Sequence, residues 1–253
     1  MKIYTLIENT AVQADLTAEH GLSLYLETDG LRILFDMGQS DAFWDNAEKM
    51  GIDLAQVDVA VLSHGHYDHG GGLARFLQGN DHAPVYLSRH AFAPHYNAKG
   101  KYIGLEQLRS ERLIFTEDTC VIAPGVTLHS CNSLGWKIDP MGLTMEGQQP
   151  EDFRHEQYLL IEENGKRICI SGCSHKGIVN IARHFQPDVL GGGFHFKGLE
   201  PGDSRIQDAA KMLMEQKTVY YTGHCTGQAQ FEVMKNVMGK RVFAVSTGTV
   251  IEV

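Results

Sequence analysis

Residues 64–69 constrain the fold of the chain more than any other stretch, because four residues of metal-ligand type fall within six positions. The segment 57–62 before them is short, apolar and rich in β-branched residues, which predicts a buried strand. Glycines at residues 70–72 allow a sharp turn into a helix. The sequence therefore predicts a metal-binding loop at the carboxyl end of a strand. The alternative is a histidine-rich surface loop.

The spacing within this loop separates the four side chains into two pairs. His64 and His66 can converge on one ion, whereas the adjacent Asp68 and His69 project elsewhere and can bind a second ion nearby. Neutral imidazoles favour zinc, although iron and manganese also bind such donors. The loop therefore predicts two divalent metal ions, with zinc favoured over iron or manganese.

The His-x-His-x-Asp-His pattern of residues 64–69 resembles the signature of the metallo-β-lactamase superfamily. Residues 171–175, 191–195 and 223–227 are similar to motifs of a subgroup named after dihydropterin–aminobenzene ribofuranosyl phosphate synthase. Most members of this subgroup are known only as metal-dependent hydrolases. The resemblance covers nearly the whole chain and implies an α/β (α+β) fold, a four-layer αβ/βα sandwich of the metallo-β-lactamase type with its metals at one edge.

The resemblance also implies three protein ligands for each ion. The first set is His64, His66 and His175. The second set is Asp68, His69 and His224. Cys173 stands where the wider superfamily commonly has a metal-bridging aspartate, so it is either a thiolate ligand or a small buried side chain that only packs.

Two further residues are candidates for supporting roles. In the resembled family, an aspartate at the position of Asp36 supports the metal loop from behind, although a simple turn residue is the alternative. His195 follows three glycines, which permit close approach to the metals. We predict that His195 faces the substrate as an acid or a phosphate ligand. The alternative is a histidine that ties down the following loop.

Several other features are less specific. Residues 88–110 predict a long loop with at most one helical turn, which is either a substrate-covering segment or a solvated surface loop. His129 ends a predicted strand and is a reserve metal ligand. His155, beside Glu156, is predicted to be a surface histidine.

Turn signals and periodicity predict the remaining elements. Asp29-Gly30 and Asn164-Gly165 predict two hairpins, one in each half of the chain. A strand is predicted over residues 19–27, and Trp44 is predicted to lie in the core on one face of a helix. No linker or repeat divides the sequence, so a single domain is expected over residues 1–253.

Composition excludes some classes of function. The formal charge is −9 and the sequence has no basic cluster, which argues against nucleic-acid binding. The sequence has neither a signal-peptide pattern nor an apolar stretch long enough to span a bilayer. Its five cysteines do not form a disulfide framework. We therefore expect a cytoplasmic protein that acts on a small molecule and has no membrane or nucleic-acid partner.

The expected activity is that of a metal-dependent hydrolase. Two dications acidify a bridging water to hydroxide near neutral pH, so no serine or cysteine nucleophile is required. The substrate is expected to be a small polar ester, with a phosphate ester favoured. Alternatives are a transferase that condenses a pterin pyrophosphate with an aminobenzene ribofuranosyl phosphate, and a metal-binding sensor without catalysis. Diiron redox chemistry is disfavoured, because diiron flavoprotein relatives have a glutamate at the position of His66 and a flavin domain.

Overall fold

The computed structural model describes residues 1–146 and 148–253. The strands are β1 (Lys2–Ile7), β2 (Ser23–Glu27), β3 (Arg32–Phe35), β4 (Val59–Val61), β5 (Val85–Ser88), β6 (His95–Tyr96), β7 (Leu113–Thr116), β8 (Thr119–Ala123), β9 (Val126–His129), β10 (Thr144–Met145), β11 (Tyr158–Glu163), β12 (Lys166–Ile170), β13 (Val189–Gly191), β14 (Val219–Thr222), β15 (Val242–Ala244) and β16 (Val250–Glu252). The α-helices are α1 (Ala42–Lys49), α2 (Tyr67–Gly70), α3 (Leu73–Gly79), α4 (Ile178–Phe185), α5 (Ser204–Met214) and α6 (Gln228–Met238).

Two mixed sheets of seven strands each form the centre of the molecule. The first sheet has the order β16-β1-β2-β3-β4-β5-β7, and the second has the order β15-β14-β13-β12-β11-β9-β8. In each sheet an antiparallel hairpin leads into a run of parallel strands, β3-β4-β5-β7 in the first and β12-β13-β14-β15 in the second. A small third sheet pairs β6 with β10.

Three clusters of buried apolar side chains define four layers. One cluster lies between the two sheets, where Phe35 and Val61 of the first sheet join Leu159 and Ile170 of the second. A second cluster packs α1 and α3 on the outer face of the first sheet, and it includes Trp44 as predicted. A third packs α4, α5 and α6 on the outer face of the second sheet. Both faces of each sheet are therefore covered, and the predicted αβ/βα sandwich is confirmed.

The predicted hairpins are confirmed. Asn164 and Gly165 have φ values of 52° and 75°, the left-handed conformations that a two-residue turn between twisted strands requires. The turn at Asp29 and Gly30 is closed by the Thr28 N–H, which donates to the Leu31 carbonyl over 2.9 Å. None of the helices in the described parts of the chain has the length and apolar character that crossing a bilayer requires.

One predicted element differs in the structure. The strand expected from residue 19 begins only at Ser23, so residues 19–22 form the end of a loop. Residues 88–110 form the predicted long loop, which contains the short strand β6 and no helical turn. Both segments contact the loop at residues 64–69: the Leu22 N–H donates to the Asp68 carbonyl over 3.2 Å, and the Tyr67 N–H donates to the Ile103 carbonyl over 2.9 Å.

Candidate metal centre

The loop after β4 is held by the buried carboxylate of Asp36. Ser63 donates its backbone N–H and its hydroxyl to the two carboxylate oxygens, each over 2.7 Å, and His69 donates Nδ1–H to Oδ2 over 2.6 Å. Because the Ser63 hydroxyl is already a donor, its oxygen accepts the Nδ1–H of His64 over 2.8 Å. The predicted support by Asp36 is confirmed, and because it engages Nδ1 of both rings, Nε2 of each is the candidate metal donor.

The three histidines of the first predicted set lie together. His64 Nε2 is 3.4 Å from His175 Nε2, which matches the spacing of about 3.3 Å expected for two nitrogens on one tetrahedral zinc ion. The ring centroids of His64 and His66 are 4.6 Å apart, and each is 5.0 Å from the His175 ring. His175 reaches this position from the loop after β12, so the first set joins the two sheets.

The three residues of the second predicted set also lie together. His224 Nε2 is 3.1 Å from His69 Nε2 and 3.3 Å from Asp68 Oδ2. His224 follows β14, and its Nδ1 is 3.2 Å from the side-chain oxygen of Asn9. These separations are similar to the 3.4 Å between His64 Nε2 and His175 Nε2, and the second set includes the only carboxylate of the six predicted ligands.

Cys173 lies beside both sets. Its Sγ is 3.2 Å from His69 Nε2, and it can share an ion with His64 and His69. Burial and the neighbouring Cys225 raise the pKa of the Cys173 thiol well above its ordinary value. A thiolate at Cys173 therefore requires a nearby cation, which either predicted metal position would supply.

His195 is brought to the same centre. Its ring lies 4.2 Å from the ring of His175, and the residue is partly exposed. Its backbone is left-handed, with φ of 56°, a strained conformation that aims the side chain back at the motif. Burial lowers the pKa of His195, but a hydrogen bond and charge interaction with Cys225 outweigh burial and leave the pKa raised.

Sequence comparison assigns the family. A profile of the metallo-β-lactamase superfamily matches residues 16–162. The chain belongs to the metallo-β-lactamase superfamily. Proteins with this fold bind divalent metal ions. The donors of the first set lie close enough together to hold one such ion, and His224 of the second set lies 3.1 Å from His69 Nε2 and 3.3 Å from Asp68 Oδ2.

Three similar proteins match this chain over nearly its whole length. MJ0448, an uncharacterised protein of Methanocaldococcus jannaschii, is 29% identical over 89% of this chain and 90% of its own length. A 7,8-dihydropterin-6-methyl-4-(β-D-ribofuranosyl)-aminobenzene-5′-phosphate synthase of the same organism is 26% identical over 90% of this chain and 88% of the synthase. The crystal structure of Tm1679, a metal-dependent hydrolase of the β-lactamase superfamily, matches with a TM-score of 0.80 and 27% identity, covering 100% of this chain and 99% of that one.

Electrostatics differ between the two sets. Burial lowers the pKa of His66 to about 3, and those of His64 and His175 also fall well below 6.5. Burial also lowers the pKa of His69, but the charge of Asp36 and its hydrogen bond to His69 outweigh burial and raise the pKa to about 9. The first set therefore presents neutral imidazoles, whereas the second pairs carboxylates with a protonated imidazole until a metal displaces the proton.

The prediction for His155 was wrong, because this residue is fully buried. Its Nδ1 accepts the backbone N–H of Gly65 within the metal loop over 2.8 Å, and its ring stacks 3.9 Å from that of His95. His95 in turn donates Nδ1–H to Glu151 over 2.6 Å. Glu156 beside His155 suggested a polar surface, but Glu156 is also buried and accepts the backbone N–H of His175 over 2.8 Å.

Two further histidines differ from expectation: His129 does not join the two sets, whereas His20 lies beside the second. His129 lies 2.9 Å from the Thr127 hydroxyl and packs against the Phe185 ring, so the structure does not bring this reserve ligand to the two sets. His20, which sequence reasoning did not single out, has its Nε2 3.3 Å from Asp68 Oδ2. The only sequence signal at His20 was a lone histidine before a glycine, Gly21.

The segment 88–110 lies against the metal loop. His95 is buried, and its ring centroid is 5.5 Å from that of His66. Between this segment and the start of α2 and α3 is a cavity of about 430 Å³, lined by Tyr67, Lys101 and Tyr102 among others. The position of the segment is compatible with the predicted covering role, which stays a prediction.

Proposed function

We propose that the protein is a dinuclear metal-dependent hydrolase of a small polar ester, with a phosphorylated ester favoured and zinc the favoured metal. The observation that supports this most directly is the arrangement of the six predicted ligands in two sets. In the first set His64 Nε2 and His175 Nε2 are 3.4 Å apart, and in the second His224 Nε2 is 3.1 Å from His69 Nε2 and 3.3 Å from Asp68 Oδ2. These separations are close to the spacing expected for ligands of one ion. Two such sets meet at the ends of strands from both sheets.

The two sets of residues would hold two dications, which would make a water molecule acidic enough to act as a nucleophile and would polarise the bond under attack. The protein residues position the reactants. Asp36 fixes the rings of His64 and His69 through the contacts described above, so that their lone pairs face inward. Asp68 is the carboxylate nearest to the centre, where we propose that it binds the second ion and orients the attacking oxygen. No separate serine or cysteine nucleophile is needed.

His195 is proposed to face the substrate and not a metal. Both sets have three predicted ligands without it, and the residue is partly exposed, with its ring beside that of His175. Cys225 interacts with the imidazole and favours its charged form. In this position His195 can donate a proton to the leaving oxygen or a hydrogen bond to a substrate phosphate.

A transferase is the second candidate, favoured by the likeness to the pterin-related synthase over 90% of this chain. A condensation that displaces pyrophosphate would use the same metals to stabilise the leaving group. The two candidates differ in the acceptor, which is water for a hydrolase and an aminobenzene ribofuranosyl phosphate for the transferase. Incubation of the metal-loaded protein with a dihydropterin pyrophosphate, with and without this acceptor, separates them by product analysis.

The proposed hydrolase is tested by metal analysis and by turnover of a panel of phosphomonoesters and phosphodiesters. The Asp68→Asn variant should bind one ion in place of two. Loss of a residue that only supports a ligand costs up to ~100-fold in activity, so the loss of a ligand should lower turnover by more than ~100-fold. Asp81→Asn, at an exposed aspartate, is the matched control and should retain both ions and full activity. Saturation of the unmodified protein by one ion, with Asp68→Asn fully active, would exclude the dinuclear mechanism.

The role of His195 is tested by His195→Ala. The variant should keep its metal content and lose turnover on esters with poor leaving groups more than on esters with good ones, because only the former need a proton donor. His82→Ala, at an exposed histidine, is the control. Loss of metal would show that His195 is a ligand, and equal turnover on both kinds of ester would exclude it from the chemistry.

A further inference from the structure

His20 lies in the loop between β1 and β2, and its backbone neighbours are fixed to the metal loop. The Leu22 N–H donates to the Asp68 carbonyl over 3.2 Å. Gly21 lies against the same carbonyl so closely that a Cβ atom at residue 21 would be 2.7 Å from the oxygen. The close approach that Gly21 allows therefore holds His20 beside the second set.

The distances around His20 match those of the predicted ligands. His20 Nε2 is 3.3 Å from Asp68 Oδ2, the same distance as His224 Nε2 from that oxygen. The ring centroids of His20 and His224 are 4.8 Å apart. Ring pairs within the two predicted sets are 4.6–5.0 Å apart, so the His20 ring lies where a further imidazole on the same ion would lie.

A simple hydrogen bond to Asp68 explains the position of His20 less well. In two hydrogen-bonded imidazole–carboxylate pairs near this centre, His69 with Asp36 and His95 with Glu151, the atoms are 2.6 Å apart. Charge-assisted bonds of this kind are usually 2.7–2.9 Å long, shorter than the 3.3 Å seen for His20. A separation of 3.3 Å is instead the spacing of two donors that share one ion.

We propose that His20 is a fourth protein ligand of the second metal position, beside Asp68, His69 and His224. The inference rests on the dinuclear centre of the proposed function. It gives the second position four protein donors and leaves the first with three. The first position is then the more open of the two, so substrate oxygen is expected to reach the ion there.

The test compares His20→Ala with the unmodified protein and with His82→Ala, which removes an exposed histidine. Each protein is reconstituted with cobalt(II), the stoichiometry and affinity of both ions are measured by chelator competition, and the visible absorption spectrum reports the coordination of cobalt. His20→Ala should bind the second ion more than ~10-fold more weakly, with the first ion unaffected. Its spectrum should change as one imidazole is lost, whereas that of His82→Ala should not.

The outcomes separate the inference from the proposed function. If His20→Ala weakens binding of the second ion but leaves the cobalt spectrum unchanged, His20 acts only through Asp68. The inference then fails, while the dinuclear centre stands. Unchanged affinity and spectrum also overturn it. If the unmodified protein binds only one ion, both the proposed function and the inference fail. Should His20→Ala not fold, His20→Gln, which keeps a polar side chain at the half-exposed position, is measured in its place.

Discussion

The two proposed metal positions are built from similar imidazoles but are supported differently. At the second position, the outer nitrogens of His69 and His224 face the carboxylate of Asp36 and the amide oxygen of Asn9. At the first position, His66 Nε2 and His175 Nδ1 are buried without a hydrogen-bond partner among the described residues.

The His175 ring is instead stacked on Phe153, with centroids 4.4 Å apart and planes 3° from parallel. The first position is thus backed by an aromatic ring, whereas negative charge is concentrated at the second, which also contains Asp68. Because carboxylates behind an imidazole orient it and raise its basicity, we expect the second position to bind its ion more tightly. The first position should exchange its ion and its outer ligands more readily.

The strongest challenge to this comparison is Asp36→Asn. The amide keeps the size of the side chain but removes the charge that orients His69, so the affinity of the second position should fall by roughly 10–100-fold. Ser63→Ala is the matched variant, because it removes the hydroxyl that lies between Asp36 and His64 and should weaken mainly the first position. Chelator competition measures both. Equal losses at the two positions in both variants would mean that outer support does not distinguish them.

The two proposed positions should also differ in the number of protons released when a metal binds. The raised pKa of His69, about 9, means that this imidazole is protonated at pH 7.5 in the metal-free protein, so the second ion must displace about one proton. Affinity at this position should therefore rise with pH up to about 9. The lowered pKa values of His64, His66 and His175 predict no such proton release at the first position. Calorimetric titration in buffers of different ionisation enthalpy counts the protons, and equal release at both steps would contradict the assignment.

The smallest effect is expected from Cys173→Ser. If the thiolate is a ligand, the variant should bind zinc a few-fold more weakly and lose the thiolate-to-metal charge-transfer band of the cobalt form. The position whose affinity falls would show which ion Cys173 contacts. If Cys173 only packs, the spectrum will be unchanged, and only the thermal midpoint of unfolding will move slightly.

The sequence predicted the elements that depend on local pattern. Residues 64–69 combine a buried strand, a turn and ligand-type side chains within one short stretch, so both the fold family and four ligand candidates could be read from them. His175 and His224 could be added because each follows a strand and lies in a motif of the resembled subgroup. The hairpin at Asn164-Gly165 was predictable for the same reason, since its two residues carry the required backbone conformation on their own.

What could not be predicted depends on contacts between distant segments. His20 and His155 lack a ligand-type pattern around them. His20 lies beside the centre because the backbone of Leu22 is bonded to the Asp68 carbonyl, and the His155 side chain accepts the backbone N–H of Gly65. Glu151, which pairs with His95, lies 56 residues away from it in the chain. The strand predicted from residue 19 included His20, whereas β2 begins at Ser23 in the structure and His20 lies in the preceding loop.

Because the proposed ligands come from both sheets, the proposed ions would also act as cross-links within the fold. An ion held by His69 and His224 closes a loop of 224 − 69 = 155 residues and joins the ends of β4 and β14. For a covalent link over a loop of this length, the chain-entropy model assigns about 5 kcal/mol of stabilisation through the unfolded chain, so even a fraction of that value is large beside the net stability of a domain. If the proposed ions bind, thermal tolerance in this protein should be coupled to metal supply, and metal starvation should expose the chain to proteolysis.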